Sequence, residues 1–254
     1  MQESSVSAIE REVILFQDKE ALSREAAHRF VFLATRQART GGVFNVALAG
    51  GSTPEMLYGL LAAPPFREAV EWKNVHFFFG DERAVPPEDA DSNYRMANAT
   101  LFSPLALPAS NIHRLRAEAL DLDAAARAYE AELRNHFALS DAASAPRFDL
   151  ILLGMGPDGH TASLFPHKPA LQEKTRLVVA SEPGLKPFVP RLTLTFPVLD
   201  AAANVLFLVS GADKAATLHR VLNGPADPDA LPSQSVAPAE GSLVWLVDQA
   251  AMGE

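Results

Sequence analysis

The residues best suited to chemistry lie in one short segment. His160 closes the run Gly154-Met155-Gly156-Pro157-Asp158-Gly159-His160, directly after the apolar run Leu150-Ile151-Leu152-Leu153. Histidine titrates near neutrality and is the usual general base. Asp158, two residues earlier, can hold one ring nitrogen in a fixed tautomer, as an orienting carboxylate does. The same run also spells G-x-G-x-x-G, the dinucleotide-binding turn. Against that reading, Asp158 would put a negative charge where a pyrophosphate must sit. Pro157 removes an N–H donor from the turn, and Pro166 interrupts the helix that should follow. In its favour stands Glu182, placed about where a ribose-binding acid belongs. The balance favours a histidine loop whose glycines, Gly159 among them, let the backbone approach a ligand.

Other segments could supply the remaining groups. Ala49-Gly50-Gly51-Ser52-Thr53-Pro54-Glu55 is a glycine turn feeding a helix. Free N–H groups and the helix dipole suit it to a phosphate. Ser52 and Glu55 also have capping-box spacing, so a plain capped turn is the competing account. Gly80-Asp81-Glu82-Arg83 follows a buried strand, where charges are costly unless paired, solvated or used. Asp81 or Glu82 could orient a base or bind a sugar hydroxyl, and Arg83 could bind an anion; a structural ion pair is the alternative. Arg191 opens a later strand. Lys214 begins a helix, against the macrodipole, which an anionic ligand would explain as well as simple solvation does. Of the other histidines, His28, His136 and His219 fall on helices and His76 within a strand, so they read as surface or core residues. His113 and His167 are unassigned. No pair of histidines has metal-ligand spacing, so no metal site is expected.

The elements that must position these residues alternate. Strands are predicted at 13–16, 43–49, 74–79, 148–153, 177–180, 192–196, 205–209 and 243–247. Helices are predicted from an Asp18 cap to Arg39 with Gly41-Gly42 ending it, from near Thr53, and over 92–101, 122–137 and 213–222. This pattern implies an α/β fold, a mostly parallel central sheet with helices on both faces. In such sheets ligands sit at the carboxyl ends of strands, which singles out the loops after Ala49, Phe79, Leu153 and Val209. Residues 224–241, with four prolines, read as a surface loop or small subdomain within a single domain spanning 1–254.

Composition bounds the partners. The 254 residues are 48% hydrophobic and carry a formal net charge of −9. With no lysine-arginine cluster, nucleic-acid binding through phosphate neutralisation is not expected. There is no cysteine, which excludes thiol catalysis and thiolate metal sites. No apolar stretch approaches the roughly 18 residues of a membrane span. The start, Met1-Gln2-Glu3-Ser4-Ser5, lacks a basic n-region, and Glu10 and Glu12 precede the first apolar run. A cytoplasmic protein, monomeric or weakly homo-oligomeric, is expected.

Taken in order, these loops resemble the 6-phosphogluconolactonase family. The segments that carry the likeness are Ala49-Gly50-Gly51-Ser52-Thr53-Pro54, Gly80-Asp81-Glu82-Arg83, Gly154 through Pro166 and Pro190-Arg191-Leu192-Thr193, with Asp91-Ser92-Asn93-Tyr94 and Asp213-Lys214-Ala215. The resemblance implies the NagB/RpiA/CoA-transferase-like fold, shared with glucosamine-6-phosphate deaminases and ribose-5-phosphate isomerases. It implies hydrolysis of a sugar-phosphate lactone, 6-phosphogluconolactone, in the pentose phosphate pathway, with no metal and no cofactor. The family's catalytic histidine falls on His160; in the mechanism expected here, Asp158 or Asp81 orients the imidazole or the water. Its substrate contacts fall on Gly50, Gly51, Ser52, Thr53, Arg83, Gly159, Arg191 and Lys214. The sister deaminases carry a glutamate where this chain has Leu164-Phe165-Pro166, and usually an aromatic residue at the position of Arg83. Both departures favour the lactonase over a deaminase. A sugar-phosphate sensor of the same fold would normally carry a DNA-binding module.

Overall fold

The computed structural model describes residues 11–141 and 143–254. Residues 1–10, which carry most of the argument against an export signal, lie outside them. The strands, in chain order, are β1 (Arg11–Phe16), β2 (Phe44–Leu48), β3 (Val75–Phe79), β4 (Asp81–Arg83), β5 (Leu150–Leu153), β6 (Val178–Ser181), β7 (Arg191–Leu194), β8 (Asn204–Val209) and β9 (Ser242–Asp248). The helices are α1 (Lys19–Arg39), α2 (Ser52–Leu61), α3 (Asn93–Ala97), α4 (Ser103–Leu105), α5 (Leu122–His136), α6 (Phe196–Asp200), α7 (Ala215–Asn223) and α8 (Gln249–Met252).

A six-stranded sheet in the order β1-β9-β8-β5-β2-β3 is parallel throughout and flanked by helices. Its central strand β5, Leu-Ile-Leu-Leu, is buried at every position. Each such side chain contributes roughly 1.5–3 kcal/mol of burial. This reads as a strand covered on both faces, hence apolar without alternation. α1 starts where Asp18 accepts from the Ala21 N–H at 2.8 Å, the expected cap. It lays Leu22, Ala26, Phe30 and Ala34 into the core.

Part of the chain departs from the predicted single sheet. β4, β7 and β6 form a separate antiparallel sheet. Gly80 is the joint between the two. Its N–H donates to Leu48 O in the parallel sheet, and its carbonyl accepts from Leu194 N in the small one. The charged trio 81–83, read as a loop, is therefore a short strand. Its pairing partners lie about a hundred residues away, and charged side chains hide it from any hydrophobic pattern. The predicted helix 92–101 is α3 followed by a π turn, Asn98–Phe102, and then α4. The one predicted at 213–222 opens as a 3-10 turn, Ala212–Lys214, before α7.

Residues 224–241 hold a 3-10 turn, Pro232–Ser235, and bury Leu231 and Val236 against the core. Ser233 N donates to Gly159 O, so this segment braces the His160 loop from behind. No helix of the described residues is long and apolar enough to cross a membrane.

Candidate active site

The strands that precede the four loops singled out by the sequence, β8, β5, β2 and β3, are consecutive neighbours in the sheet. Their carboxyl ends therefore open onto one place, a cavity of about 200 Å³. Gly50, Gly51, Ser52 and Thr53 line one side of it, with His160 from the loop after β5. Asp81, Arg83, Arg191 and Lys214 also face it. Of the expected site residues, Asp158 and Gly159 do not line the cavity. Asp158 lies behind His160, and Gly159 carries the brace from Ser233.

His160 is held at several points. Its Nδ1 lies 2.6 Å from Asp158 Oδ1, and the same oxygen accepts from the His160 backbone N–H at 3.2 Å. An ionised carboxylate only accepts, so Nδ1 carries the proton and Nε2 is the basic atom. Burial alone would raise the Asp158 carboxyl, but the hydrogen bond and charge of His160 outweigh it and hold the group below its usual range. The loop closes on itself, with Gly156 N donating to His160 O at 2.9 Å. The imidazole rests on the ring of Phe165, centroids 4.4 Å apart.

The geometry separates the two candidate orienting acids. Asp81 is buried and engaged elsewhere. Its carboxylate accepts from Ser163 Oγ at 2.6 Å and from Asn93 Nδ2 at 3.2 Å. It also faces Arg191 Nη1 at 4.0 Å. Glu82, the alternative to Asp81 for orienting a base or binding a sugar hydroxyl, is not available for either role. Its two oxygens accept from Ser92 Oγ and from the N–H groups of Arg83, Asn93 and Tyr94, so it caps the start of α3. Burial raises its carboxyl despite those donors.

The cations differ in what they have left to give. Arg191 is 3% exposed. Its Nε and Nη2 donate to the carbonyls of Val189, Leu185 and Pro187, leaving Nη1 toward Asp81. Arg83 Nη1 donates to Asp91 O. Lys214 is tied only loosely, 3.4 Å from Ser210 O and 3.6 Å from Asp213.

α2 does not begin as its spacing suggests. Gly51, at φ +101, is the cap, with no side-chain hydrogen bond, and Ser52 already lies in the first turn. The Ser52–Glu55 capping box is absent because the chain enters the helix through a backbone conformation open mainly to glycine. The first-turn N–H groups of Ser52 and Thr53 have no partner within the helix, and both residues line the cavity. Tyr58, buried, fixes this turn from below: its hydroxyl bonds both the N–H and the carbonyl of Ala49.

Three supporting residues lie in the segments that carry the family likeness but were given no role from the sequence. Ser163 and Asn93 hold Asp81, and Phe165 supports both His160 and, at 5.5 Å, the Arg191 guanidinium.

Comparisons with known proteins agree with this geometry. The family model described as glucosamine-6-phosphate isomerases/6-phosphogluconolactonase matches residues 17–245. A 6-phosphogluconolactonase of Synechocystis is 43% identical over 217 residues, 85% of this chain and 87% of that protein. The structure of 6-phosphogluconolactonase from Trypanosoma cruzi superposes with a TM-score of 0.86 at 29% identity, covering 97% of each chain. A monomeric glucosamine-6-phosphate deaminase superposes with a TM-score of 0.78 at 25% identity, over 95% of this chain and 99% of that one. The sheet order alone therefore does not separate the two chemistries. By its matched length, its relatives and its site, this chain belongs to the glucosamine-6-phosphate isomerase/6-phosphogluconolactonase family.

Proposed function

We propose that the protein hydrolyses 6-phospho-D-glucono-1,5-lactone to 6-phospho-D-gluconate in the oxidative pentose phosphate pathway, with His160 as general base. The observation that carries this reading is the His160–Asp158 pair at 2.6 Å, which leaves a basic Nε2 in a cation-lined cavity with Phe165 in place of a second acid. Relatives sharing 36–43% of their residues with this chain bear the lactonase name. The substrate phosphate sits at the N-terminus of α2, on the N–H groups of Ser52 and Thr53, with Lys214 as its mobile counter-charge and Arg191 Nη1 beside it. Asp81 sets Arg191 rather than the base.

Nε2 takes a proton from water as the oxygen attacks the lactone carbonyl carbon. Arg83 stabilises the oxyanion, such a donor being worth about 2.7–4 kcal/mol. The bond from that carbon to the ring oxygen then breaks, and His160 returns the proton to the departing oxygen. These side chains supply every proton transfer, so the reaction as written needs no cofactor. The setting is cytoplasmic, and the working form is a monomer or weak homo-oligomer.

The deciding experiment measures lactone hydrolysis, corrected for the spontaneous reaction, beside deamination of glucosamine 6-phosphate. Turnover of the lactone alone is expected. Deamination without lactone turnover would overturn the reading, and tight binding of either compound without turnover would make the protein a sensor.

Two variants test the assigned roles. Lys214→Ala should raise KM about ten- to a hundredfold with kcat little changed, since a charged hydrogen bond made equally in ground and transition states is worth about 1.5–3 kcal/mol. An unchanged KM would move the phosphate elsewhere. Asp158→Asn should lower kcat only about tenfold. The backbone N–H of His160 donates to Oδ1, so the amide must present its oxygen there and still accept from Nδ1. The tautomer survives and only the charge assistance, about 1.4 kcal/mol, is lost. A fall as deep as that of a histidine variant would mean that the amide had flipped and reversed the tautomer.

A further inference from the structure

Away from the cavity, three histidines that local spacing keeps apart meet at the β3 edge of the main sheet: His76 within β3, His113 in the segment that bridges to it, and His136 ending α5. None of them lines the active site. The geometry points to a site for one divalent transition-metal ion of the zinc class, held by His76, His113 and His136. The inference stands independently of the lactonase reading.

One ring nitrogen from each residue lies within 4.8 Å of the others. His76 Nδ1 and His113 Nε2 are already 2.9 Å apart. Two zinc–imidazole bonds of about 2.0–2.1 Å at a tetrahedral angle put their nitrogens about 3.3 Å apart. The widest pair, within 4.8 Å and involving His136, must close by about 1.5 Å to reach that spacing.

The surrounding groups prepare the donors. His113 Nδ1 lies 2.6 Å from Glu132 Oε1, so that nitrogen is the protonated one and Nε2 keeps its lone pair. His136 Nε2 lies 2.7 Å from Asn45 Oδ1 and donates to it, leaving the lone pair on Nδ1. The amide of Asn45 is itself fixed, because its other end bonds Asp149. A carboxylate or carbonyl on the outward nitrogen is the usual support of a metal-bound histidine. Without a metal, His76 Nδ1 donates its proton to His113 Nε2. When a metal takes that place, the proton moves to His76 Nε2, so no net proton is lost.

The rings are also held in place. His113 stacks on Phe78 at 4.1 Å and 3°, and its backbone N–H donates to Phe77 O at 2.8 Å. Burial, with the neighbouring imidazoles, pushes His76 and His136 below the usual histidine range, His136 to about 4, which keeps lone pairs available at neutral pH. Three nitrogens without a carboxylate or thiolate in the set suit zinc, nickel or copper rather than magnesium or calcium. The half-buried cluster leaves a fourth position to water. A bound ion would clip β3, the His113 segment and the end of α5 together.

The test uses the chelator-treated full chain. Titration with Zn(II) by calorimetry, and with Co(II) by its visible absorption, should show one equivalent bound at micromolar concentration with three nitrogen ligands. Zn(II) should also raise the melting temperature, as any ligand selective for the folded state does. His76→Gln and His136→Asn should each abolish that uptake. Glu132→Gln, at a half-exposed position that need not disturb folding, should weaken it about ten- to a hundredfold. His160→Ala and His167→Asn, which alter the other histidine–aspartate pairs, should leave it intact. Lactone turnover by His136→Asn at wild-type rate would show that this site and the catalytic one are separate. Absence of saturable uptake, or uptake unaltered in the His76, His136 and Glu132 variants, would overturn the proposal.

Discussion

His160→Gln is expected to lower kcat for the lactone by about 10²–10⁴, the usual contribution of a positioned general base, with KM within a few-fold of wild type. Glutamine fills similar space and cannot accept a proton at neutral pH. With the substrate phosphate on the α2 N-terminus and Lys214, as proposed, residue 160 takes no part in holding it, so ground-state binding should survive. The loop itself should hold, because its closing bonds run through backbone atoms, Gly156 N to His160 O and Gly159 N to Gly156 O. Steady-state kinetics corrected for spontaneous hydrolysis, with a melting curve, check this. A variant that keeps kcat within threefold would mean that the attacking water is activated elsewhere. A large rise in KM with intact kcat would mean that His160 binds the phosphate instead.

Much of this site was legible in the sequence because it lives at strand ends. Once the apolar runs are placed, a parallel sheet dictates where its ligands sit. The loops after β2, β3, β5 and β8 followed from that rule, and His160 and Lys214 came with them. What the sequence could not show depends on pairing at long range. Asp81–Arg83 is a strand only because Arg191–Leu194 runs antiparallel beside it. For the same reason Asp81 faces Arg191 while Glu82, one residue on, turns away to cap α3: successive strand residues point to opposite faces. No periodicity over three charged residues could have told the two apart. The choice between Asp158 and Asp81 as the acid on His160 likewise needed the fold, which commits Asp81 to Ser163, Asn93 and Arg191. The histidines at 76, 113 and 136 show the same limit, since metal-ligand spacing is a local signal and this cluster is assembled by the sheet edge.

The second large effect is expected from a residue with no side chain. A Cβ on Gly156 would stand 2.1 Å from both Cε1 and Nδ1 of His160 and 2.7 Å from Asp158 Oδ1. Non-bonded heavy atoms settle at about 3.5–4.0 Å, so the imidazole must move by more than an ångström or the loop must open at the Gly156–His160 bond. Either displacement takes Nε2 off the line to the lactone carbon, and a misplacement of about 1 Å costs on the order of a hundredfold. Gly156→Ala should therefore lose about 10² or more in kcat while binding a non-hydrolysable sugar phosphate nearly as well as wild type. Gly154→Ala is the control from the same loop: a Cβ there meets no atom within 4 Å. Any crowding it causes falls on the substrate and appears in KM. A Gly156→Ala enzyme with wild-type kcat would show that the imidazole has room the structure denies it, and the close fit of Gly156, Asp158 and His160 would then be incidental to catalysis. If both variants failed equally in kcat, the loop as a whole, rather than the contact under His160, would be what turnover depends on.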